Sequence, residues 1–199
     1  MEQPISYNAA NVDETCAQQD FSVKVLISEE QLQQGISEMA SAINARLDNQ
    51  PLTVICVMTG SIILVADLIR ELTMPVKLGS VHASSYRGAT DRGNLNLDTS
   101  MLPNLQDANV LIVDDIFDTG HTLHAVTQHM NSLGVASLHT AVLLYKHGRQ
   151  ELALDVDFIG FEIPDEFVVG YGLDYQGIYR NLPYIGVMEH EDLSANEKE

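Results

Sequence analysis

The sequence predicts an α/β fold in which a mainly parallel, twisted sheet is flanked by helices. Short apolar segments rich in β-branched residues alternate along the chain with segments whose apolar residues recur at helical spacing. Strands connected by helices in this way pair in parallel, and their ligands bind at the carboxyl ends of the strands. Two loops of small residues, around Gly60 and Gly120, follow predicted strands. We therefore expect the functional site where these loops meet.

The individual elements are predicted from apolar periodicity and from residues that begin or end helices. After the apolar segment 23–27, Ser28 and Gln31 have the spacing of a capping box, which marks a helix start. The apolar residues of this helix recur every three or four positions, at Leu32, Ile36, Met39, Ile43 and Leu47. Further along we expect strands over 53–58, 76–84, 109–113 and 137–144, and helices over 62–72 and 122–133, with Gly134 after the last.

The segment 86–103 contains few apolar residues and many of Gly, Asn, Asp, Ser and Arg. This composition predicts a long surface loop. Loops of this length inside a compact domain are uncommon and frequently serve as lids over active sites. We therefore expect the segment to cover the functional site.

Length and charge limit the classes of protein that fit. The chain has 199 residues, 45% of them hydrophobic, which predicts a single domain over 1–199 with flexible polar ends at 1–20 and 189–199. Asp and Glu outnumber Lys and Arg 28 to 10, and the net charge of −18 disfavours nucleic acid and membrane surfaces as partners. No leader sequence or apolar run of bilayer length occurs, so a cytoplasmic protein is expected.

The most informative motif is VLIVDDIFDTGHT at 110–122, an apolar strand followed by acidic and then small residues. Backbone N–H groups of Thr119 to Thr122, at the positive end of a helix dipole, suit a terminal phosphate. The carboxylates of Asp114 and Asp115 suit sugar hydroxyls or a hard cation such as Mg²⁺. The acidic pair alone also fits acidic caps on a strand, a phosphoacceptor domain or an NTPase metal strand. The NTPase interpretation lacks its P-loop, because G-x-x-x-x-G-K-[ST] is absent from the sequence.

The full motif resembles the phosphoribosyl pyrophosphate motif of the type I phosphoribosyltransferases. Further segments resemble the hypoxanthine-guanine phosphoribosyltransferases in particular, and this resemblance extends from about Phe21 to Met188. The segments are SSYRG at 84–88, Lys146, FEIPD at 161–165, FVVGY at 167–171, LDY at 173–175 and Arg180.

The resemblance implies an activity, a cofactor and an architecture. The reaction would transfer ribosyl 5-phosphate from phosphoribosyl pyrophosphate to N9 of a 6-oxopurine, giving IMP or GMP and pyrophosphate in purine salvage. Mg²⁺ would be the cofactor. The type I phosphoribosyltransferase fold would carry a small hood, built from the N-terminal segment and about 155–188, with the base between hood and sheet. Family members commonly form homodimers or homotetramers.

The resemblance also assigns roles to single residues. Asp118 would be the acid/base at purine N7, where removing the proton as N9 attacks keeps positive charge off the base. Lys146 would donate to the oxygen at C6 and so select oxopurines over aminopurines. The metal would lie on Asp114, Asp115 and Asp174. Pyrophosphate would contact Thr59, Gly60 and Arg180, and the lid would contain Ser85 and Tyr86. The ribose hydroxyls would contact Asp114 and Asp115, and the 5′-phosphate would contact Thr119, Gly120, His121 and Thr122. The base would contact Phe167 and Val168.

Alternatives to this assignment remain open. A non-catalytic regulator that senses phosphoribosyl pyrophosphate on the same fold usually needs a basic surface, and this chain is acidic and retains Asp118 and Lys146. A transferase for adenine or a pyrimidine is a nearer rival. Preference among hypoxanthine, guanine and xanthine is not decided by these residues.

Two basic residues of the family pattern are replaced. Many members have lysine where this chain has Thr59, and lysine is also frequent at the position of His121. The family often has a cis peptide in the first loop, which would join Met58 to Thr59 here. With two cations missing, we expect weaker binding of phosphoribosyl pyrophosphate and greater dependence on Mg²⁺ than in lysine-bearing relatives.

We predict that Thr59→Lys lowers the KM for phosphoribosyl pyrophosphate and the Mg²⁺ concentration that gives half-maximal rate, because it adds a cation beside the leaving group. Steady-state titration of both ligands measures these constants. Asn131→Lys, which adds the same charge near the end of the predicted helix 122–133, is the matched control. Unchanged constants in Thr59→Lys would contradict the expectation.

Overall fold

The chain forms three helices and nine strands within the described residues. The computed structural model describes residues 23–47, 50–85, 95–152 and 154–188. The helices are α1 (Glu29–Arg46), α2 (Ile62–Leu68) and α3 (His121–Ser132). The strands are β1 (Val23–Ile27), β2 (Leu52–Met58), β3 (Val76–Ser85), β4 (Leu95–Asp98), β5 (Asn109–Phe117), β6 (Ser137–Lys146), β7 (Phe158–Ile163), β8 (Val168–Val169) and β9 (Ile185–Met188).

The strands form two sheets, and the larger one confirms the predicted α/β class. Its order is β4-β3-β2-β5-β6-β7, with every neighbouring pair parallel except β3 and β4. The smaller sheet is antiparallel, in the order β1-β9-β8, and is called the hood sheet below. The parallel pairing of β2 with β5 brings the carboxyl ends of these two central strands side by side.

Both faces of the larger sheet are covered by apolar side chains. On β2, Val54 and Cys56 belong to one core cluster and Ile55 and Val57 to the other, as the alternation of side chains along a strand requires. The first cluster contains the buried residues of α1 and α2, and the second contains those of α3. Strands buried on both faces explain the nearly continuous apolar segments of the sequence. Within the described residues, no helix is long and apolar enough to span a bilayer.

The capping box predicted at the start of α1 is present. The Gln31 backbone N–H donates to Ser28 Oγ at 3.3 Å, and the Ser28 backbone N–H donates to Gln31 Oε1 at 2.9 Å. At the other end of the helix, Asn44 reaches the segment that follows α2: its side chain donates to the Glu71 carbonyl and accepts from the Thr73 N–H. Those bonds satisfy backbone groups beyond the last turn of α2.

Several predicted boundaries were wrong. The helix expected over 62–72 ends at Leu68, because the N–H groups of Arg70 and Glu71 bond three residues back and form turns. The strand expected to end at Val113 continues to Phe117, because β6 keeps pairing with it beyond the acidic residues. The acidic pair therefore lies in a strand and not in a turn.

The long surface loop predicted over 86–103 was wrong for Leu95–Asp98. Leu95–Asp98 is strand β4, which pairs antiparallel with β3, and Leu97 packs against the second core cluster. The alternation of Leu with Asn and Asp there is a strand pattern that the polar composition of the segment obscured. Residues 86–94 lie outside the described residues.

The hood sheet takes less of the C-terminal segment than expected. Residues 158–163 form β7, the edge strand of the larger sheet, so this part of the range about 155–188 does not belong to the hood sheet. The sequence of β7, FIGFEI, gave no indication of which sheet it joins. The expected flexible ends, 1–20 and 189–199, lie outside the described residues.

We predict that Ser28→Ala lowers the free energy of unfolding by about 1 kcal/mol, because the first turn of α1 loses its side-chain acceptor. Chemical denaturation monitored by circular dichroism measures the change. Gln33→Ala, at an exposed position of the same helix, is the control and should change stability by less than about 0.5 kcal/mol. Equal stability of Ser28→Ala and the wild type would contradict the capping assignment.

Candidate active site

A cavity of about 310 Å³ opens at the carboxyl ends of β2 and β5, where the sequence predicted the site. It brings together residues from four separated segments of the chain. The predicted site residues among its walls are Thr59, Gly60, Asp114, Asp115, Asp118, Thr119, Gly120, Thr122, Asp174 and Arg180.

The acidic pair lies at the floor of this cavity on β5. Asp114 is buried, and its Oδ1 accepts the Asp115 N–H at 3.0 Å, while Asp115 Oδ1 accepts the Ile116 N–H at 2.9 Å. Burial, with the neighbouring carboxylate of Asp115, raises the pKa of Asp114 well above its ordinary range, and burial also raises the pKa of Asp115. A bound cation or donor hydroxyl groups would therefore stabilise the ionised form of the pair.

The loop after β2 approaches the acidic pair closely because it contains glycine. A Cβ at Gly60 would lie 1.6 Å from Asp115 Oδ2, so the main chain can sit against this carboxylate only without a side chain. The peptide bond between Met58 and Thr59 is cis, as expected from the resemblance. The carbonyl of Gly60 in turn meets Gly172, where a Cβ would lie 2.0 Å from that oxygen and where φ is +103°.

The turn before α3 has the geometry expected of a phosphate loop. Gly120 is the N-cap residue of α3 with φ of +90°, a conformation that disfavours residues with a Cβ. No side chain caps this helix terminus, so an acceptor can approach its N–H groups from the cavity. The Thr119 carbonyl accepts hydrogen bonds from the Glu151 and Leu152 N–H groups, and these two bonds hold the loop in place.

Asp118 and Lys146 meet at one end of the cavity. Lys146 is the last residue of β6 and is buried, with Nζ 3.6 Å from Asp118 Oδ2 and 3.7 Å from Asp165 Oδ1. Arg149 completes the group: its Nε donates to Asp118 Oδ1 at 3.0 Å and its Nη1 to Asp165 Oδ2 at 3.3 Å. Sequence reasoning missed Arg149, since nothing in the sequence shows that the turn after β6 folds back over Asp118.

Arg180 and Asp174 form a pair on the wall opposite α3. Arg180 Nη2 lies 2.7 Å from Asp174 Oδ1, and Arg180 Nη1 donates to the Gly172 carbonyl at 2.6 Å. Asp174 Oδ2 accepts the Gly177 N–H at 2.7 Å. Both carboxylate oxygens of Asp174 are therefore engaged, and no group of three or more metal-binding side chains occurs among the residues described. The predicted metal set of Asp114, Asp115 and Asp174 is thus not assembled as a cluster.

Three other predicted residues, His121, Phe167 and Val168, are not among the walls of this cavity. His121 is at the first turn of α3, where its Nε2 is 2.9 Å from Glu151 Oε2. Phe167 is 39% exposed and makes an edge-to-face contact with Tyr175, with ring centroids 5.6 Å apart. Val168 is buried in the hood sheet. The side chain of Ser85 and the whole of Tyr86 lie outside the described part of the chain.

On the hood side of the site, Tyr171 forms a hydrogen bond to α2. The sequence did not single out this residue. Its hydroxyl donates to Asp67 at the end of α2. Burial and this carboxylate raise the pKa of Tyr171, so the phenol stays protonated and remains a donor. With the close contact between Gly60 and Gly172, this bond holds the segment 170–180 against the loop after β2.

Comparison with known proteins first defines the class. The family model described as phosphoribosyl transferase domain matches residues 26–176, which is most of the chain. The fold and the grouped loops agree with a phosphoribosyltransferase.

Individual relatives identify the family within this class of phosphoribosyltransferases. A hypoxanthine-guanine phosphoribosyltransferase of Staphylococcus epidermidis is 39% identical over 168 residues, covering 84% of this chain and 94% of the relative. One of Staphylococcus aureus is 36% identical over 169 residues, with the same shares covered. The chain belongs to the hypoxanthine-guanine phosphoribosyltransferase family.

Solved structures agree with this assignment. A hypoxanthine-guanine phosphoribosyltransferase of Bacillus anthracis, with a HEPES molecule in its active site, superposes with a TM-score of 0.80 at 39% identity, covering 83% of this chain and 99% of its own. A hypoxanthine phosphoribosyltransferase mutant of Trypanosoma cruzi, complexed with the product IMP, has a TM-score of 0.84 at 33% identity, covering 90% and 96%.

The buried acidic pair yields a prediction about stability. A raised pKa means that folded Asp114 holds its proton more tightly than the unfolded chain does, so ligand-free stability falls as the pH rises above about 4. Asp114→Asn cannot ionise. We predict that it melts at a higher temperature than the wild type at pH 8, with a difference that shrinks as the pH falls toward 5.

Thermal unfolding of ligand-free protein between pH 5 and pH 8 measures this difference. Asp107→Asn, at an exposed position, is the control and should follow the wild type across the range. A melting temperature of Asp114→Asn at or below that of the wild type at pH 8 would show that the pair carries no ionisation penalty.

Proposed function

We propose that the protein transfers ribosyl 5-phosphate from phosphoribosyl pyrophosphate to N9 of hypoxanthine or guanine, giving IMP or GMP and pyrophosphate. Family membership supports this, and one observation carries it for this chain. The turn before α3, the acidic pair and a glycine-containing loop line one cavity, and their donors and carboxylates suit the phosphate, ribose and pyrophosphate of the substrate. A purine salvage role follows from this reaction.

In this proposal the cavity binds phosphoribosyl pyrophosphate along its length. Backbone N–H groups at the N-terminus of α3 bind the 5′-phosphate, which the helix dipole attracts. Asp114 and Asp115 accept the ribose hydroxyls, and those hydrogen bonds favour the ionised carboxylates. The loop at Thr59 and Gly60 receives the pyrophosphate with Arg180, whose guanidinium is already held in place by the Gly172 carbonyl.

The acidic pair also fits the proposed Mg²⁺. Carboxylate oxygens are preferred ligands of this ion, and a buried pair with raised pKa values gains by holding a cation. Mg²⁺ usually keeps several waters and shares its shell with substrate oxygens, which suits a site with few protein ligands. Asp114 and Asp115 would hold the ion, and Asp174 would join through water because its oxygens are occupied. Bound Mg²⁺ would neutralise charge on the departing pyrophosphate.

The base would bind at the end of the cavity that holds Asp118 and Lys146. Asp118 would accept the N7 proton as N9 attacks C1′, so that positive charge does not build on the purine. Lys146 would donate to the oxygen at C6. Adenine offers no acceptor there and would bring the donor N–H groups of its amino group against the ammonium, which disfavours aminopurines. Phe167, which is partly exposed, would contribute its ring face to the base, with Val168 beside it.

An assembly is part of the proposal. We expect a homodimer or homotetramer, and a row of exposed apolar side chains beside α2 and β3 supports this: Ile62, Leu78 and Met101, which line a groove of about 350 Å³. The cytoplasmic location expected from the sequence stays a prediction.

We predict that the wild type releases pyrophosphate from phosphoribosyl pyrophosphate with hypoxanthine or guanine and Mg²⁺, and that Asp118→Asn lowers kcat by roughly 10²- to 10⁴-fold. The amide keeps the size of the side chain but cannot take the proton. A coupled pyrophosphate assay with each purine and with orotate measures both.

The matched control is Asp107→Asn, the same change at an exposed position outside the cavity, and it should leave kcat unchanged. Binding of phosphoribosyl pyrophosphate without turnover of any base would reject the enzyme and favour a ligand-sensing regulator. Turnover with adenine or orotate in preference to 6-oxopurines would reject the proposed substrate.

A further inference from the structure

Arg149 closes a ring of alternating charge at the base end of the site. Its guanidinium donates to Asp118 at 3.0 Å and to Asp165 at 3.3 Å, and Lys146 lies within 3.7 Å of both carboxylates from the other side. Each of the four side chains thus meets two of opposite charge, and the formal charges of the ring cancel. Two of its members, Asp118 and Lys146, are the groups that face the base in the proposed reaction.

The ring holds these two groups in a defined orientation. Arg149 takes Asp118 Oδ1 while Lys146 approaches Oδ2, so both ends of the carboxylate are fixed and its plane cannot rotate freely. A guanidinium suits this task because it is planar, permanently charged and able to bind two carboxylates in a fixed geometry. Asp165 gives Lys146 a second anionic neighbour at 3.7 Å, so the ammonium group is also held from two sides.

The backbone after β6 is shaped to place Arg149 there. Gly148, two residues after Lys146, has φ of +77°, which turns the chain back toward Asp118. The Gln150 side chain closes this turn: it donates to the Lys146 carbonyl and accepts the Gly148 N–H. Arg149 is therefore presented by a turn with its own bonds and does not reach Asp118 as a freely moving surface side chain.

We propose that Arg149 is a positioning residue for the reacting base and that it acts through Asp118. This inference rests on the function proposed above. Stability alone does not account for the ring, because the Arg149 side chain is 46% exposed and ion pairs of that exposure contribute little to folding. Its contribution is to the geometry of proton acceptance, where a small misplacement of a catalytic group is costly in rate.

The test is a double-mutant cycle between Arg149→Gln and Asp118→Asn, read as kcat/KM for hypoxanthine. Arg149→Gln alone is expected to lower kcat/KM roughly ten- to a hundredfold, with the KM for phosphoribosyl pyrophosphate within about twofold of the wild type. In the Asp118→Asn background the same change should cause no further loss, because the group it orients can no longer take the proton. Arg149→Lys should recover part of the rate.

Arg46→Gln is the matched control. Arg46 makes a comparable ion pair with Asp157, at 2.7 Å, at the opposite end of the sheet, and its loss should leave kcat/KM unchanged. Melting temperatures of all variants show that they fold, and if Arg149→Gln does not fold, the cycle is run with Arg149→Lys.

Equal losses from the Arg149 change in both backgrounds would overturn the inference, as would full activity of Arg149→Gln. A rise in the KM for phosphoribosyl pyrophosphate that matches the fall in rate would also overturn it, since Arg149 would then serve the other substrate. If the wild type turns over no base, both the proposed function and this inference are overturned.

Discussion

The parallel pairing of β2 with β5 is the constraint on which the site depends. It places the ends of two central strands side by side, so the loop containing Gly60 and the acidic pair on β5 meet at one edge of the sheet. The contact is so close that only glycine fits against Asp115. The rest of the site is arranged around this contact: α3 begins beyond the acidic pair, and the segment 170–180 packs on the other side of Gly60 through Gly172.

The electrostatics of the site are divided between its two ends. At the proposed ribose end, neither Asp114 nor Asp115 forms an ion pair within the described residues. Burial raises the pKa of both carboxyl groups, although Arg180 lowers that of Asp115. At the base end, Asp118 and Asp165 are matched by Lys146 and Arg149. In the proposed function the first end receives a cation together with its substrate, whereas the charges at the second end are already balanced.

This division also explains how an acidic protein can bind a polyanionic substrate. The net charge of −18 opposes the binding of an anion. In the cavity, backbone N–H groups at α3, the guanidinium of Arg180 and carboxylates that fit Mg²⁺ offset this repulsion. Thr59 cannot supply the positive charge that lysine gives in many relatives, and the His121 side chain lies against Glu151 and is not among the walls of the cavity. Reliance on the main chain and on the metal is the expected consequence.

The sequence predicted much of this arrangement because local patterns determine it. Apolar periodicity located the central strands and α1, and the motif at 110–122 located the acidic pair and the phosphate loop. It failed where tertiary pairing decides the outcome. The strand β5 continues past Asp114 because β6 lies beside it, β4 forms because β3 offers an edge, and β7 joins the larger sheet instead of the hood sheet.

Arg149 and Tyr171 were missed for a related reason. Their partners, Asp118 and Asp67, are 31 and 104 residues away in the chain, and no local pattern reports such contacts. The sequence also gave no indication that the oxygens of Asp174 bond the Gly177 N–H and pair with Arg180, and the role of Asp174 at a metal stays a prediction.

The most direct test of the central claim, that the buried acidic pair receives Mg²⁺ together with phosphoribosyl pyrophosphate, is calorimetric titration near pH 6 in buffers of different ionisation enthalpy. The account predicts binding that requires Mg²⁺ and releases protons, because the pair ionises when its partners arrive, and it predicts that Asp114→Asn reduces this release. Binding of equal strength without Mg²⁺, and with no proton release, would contradict it.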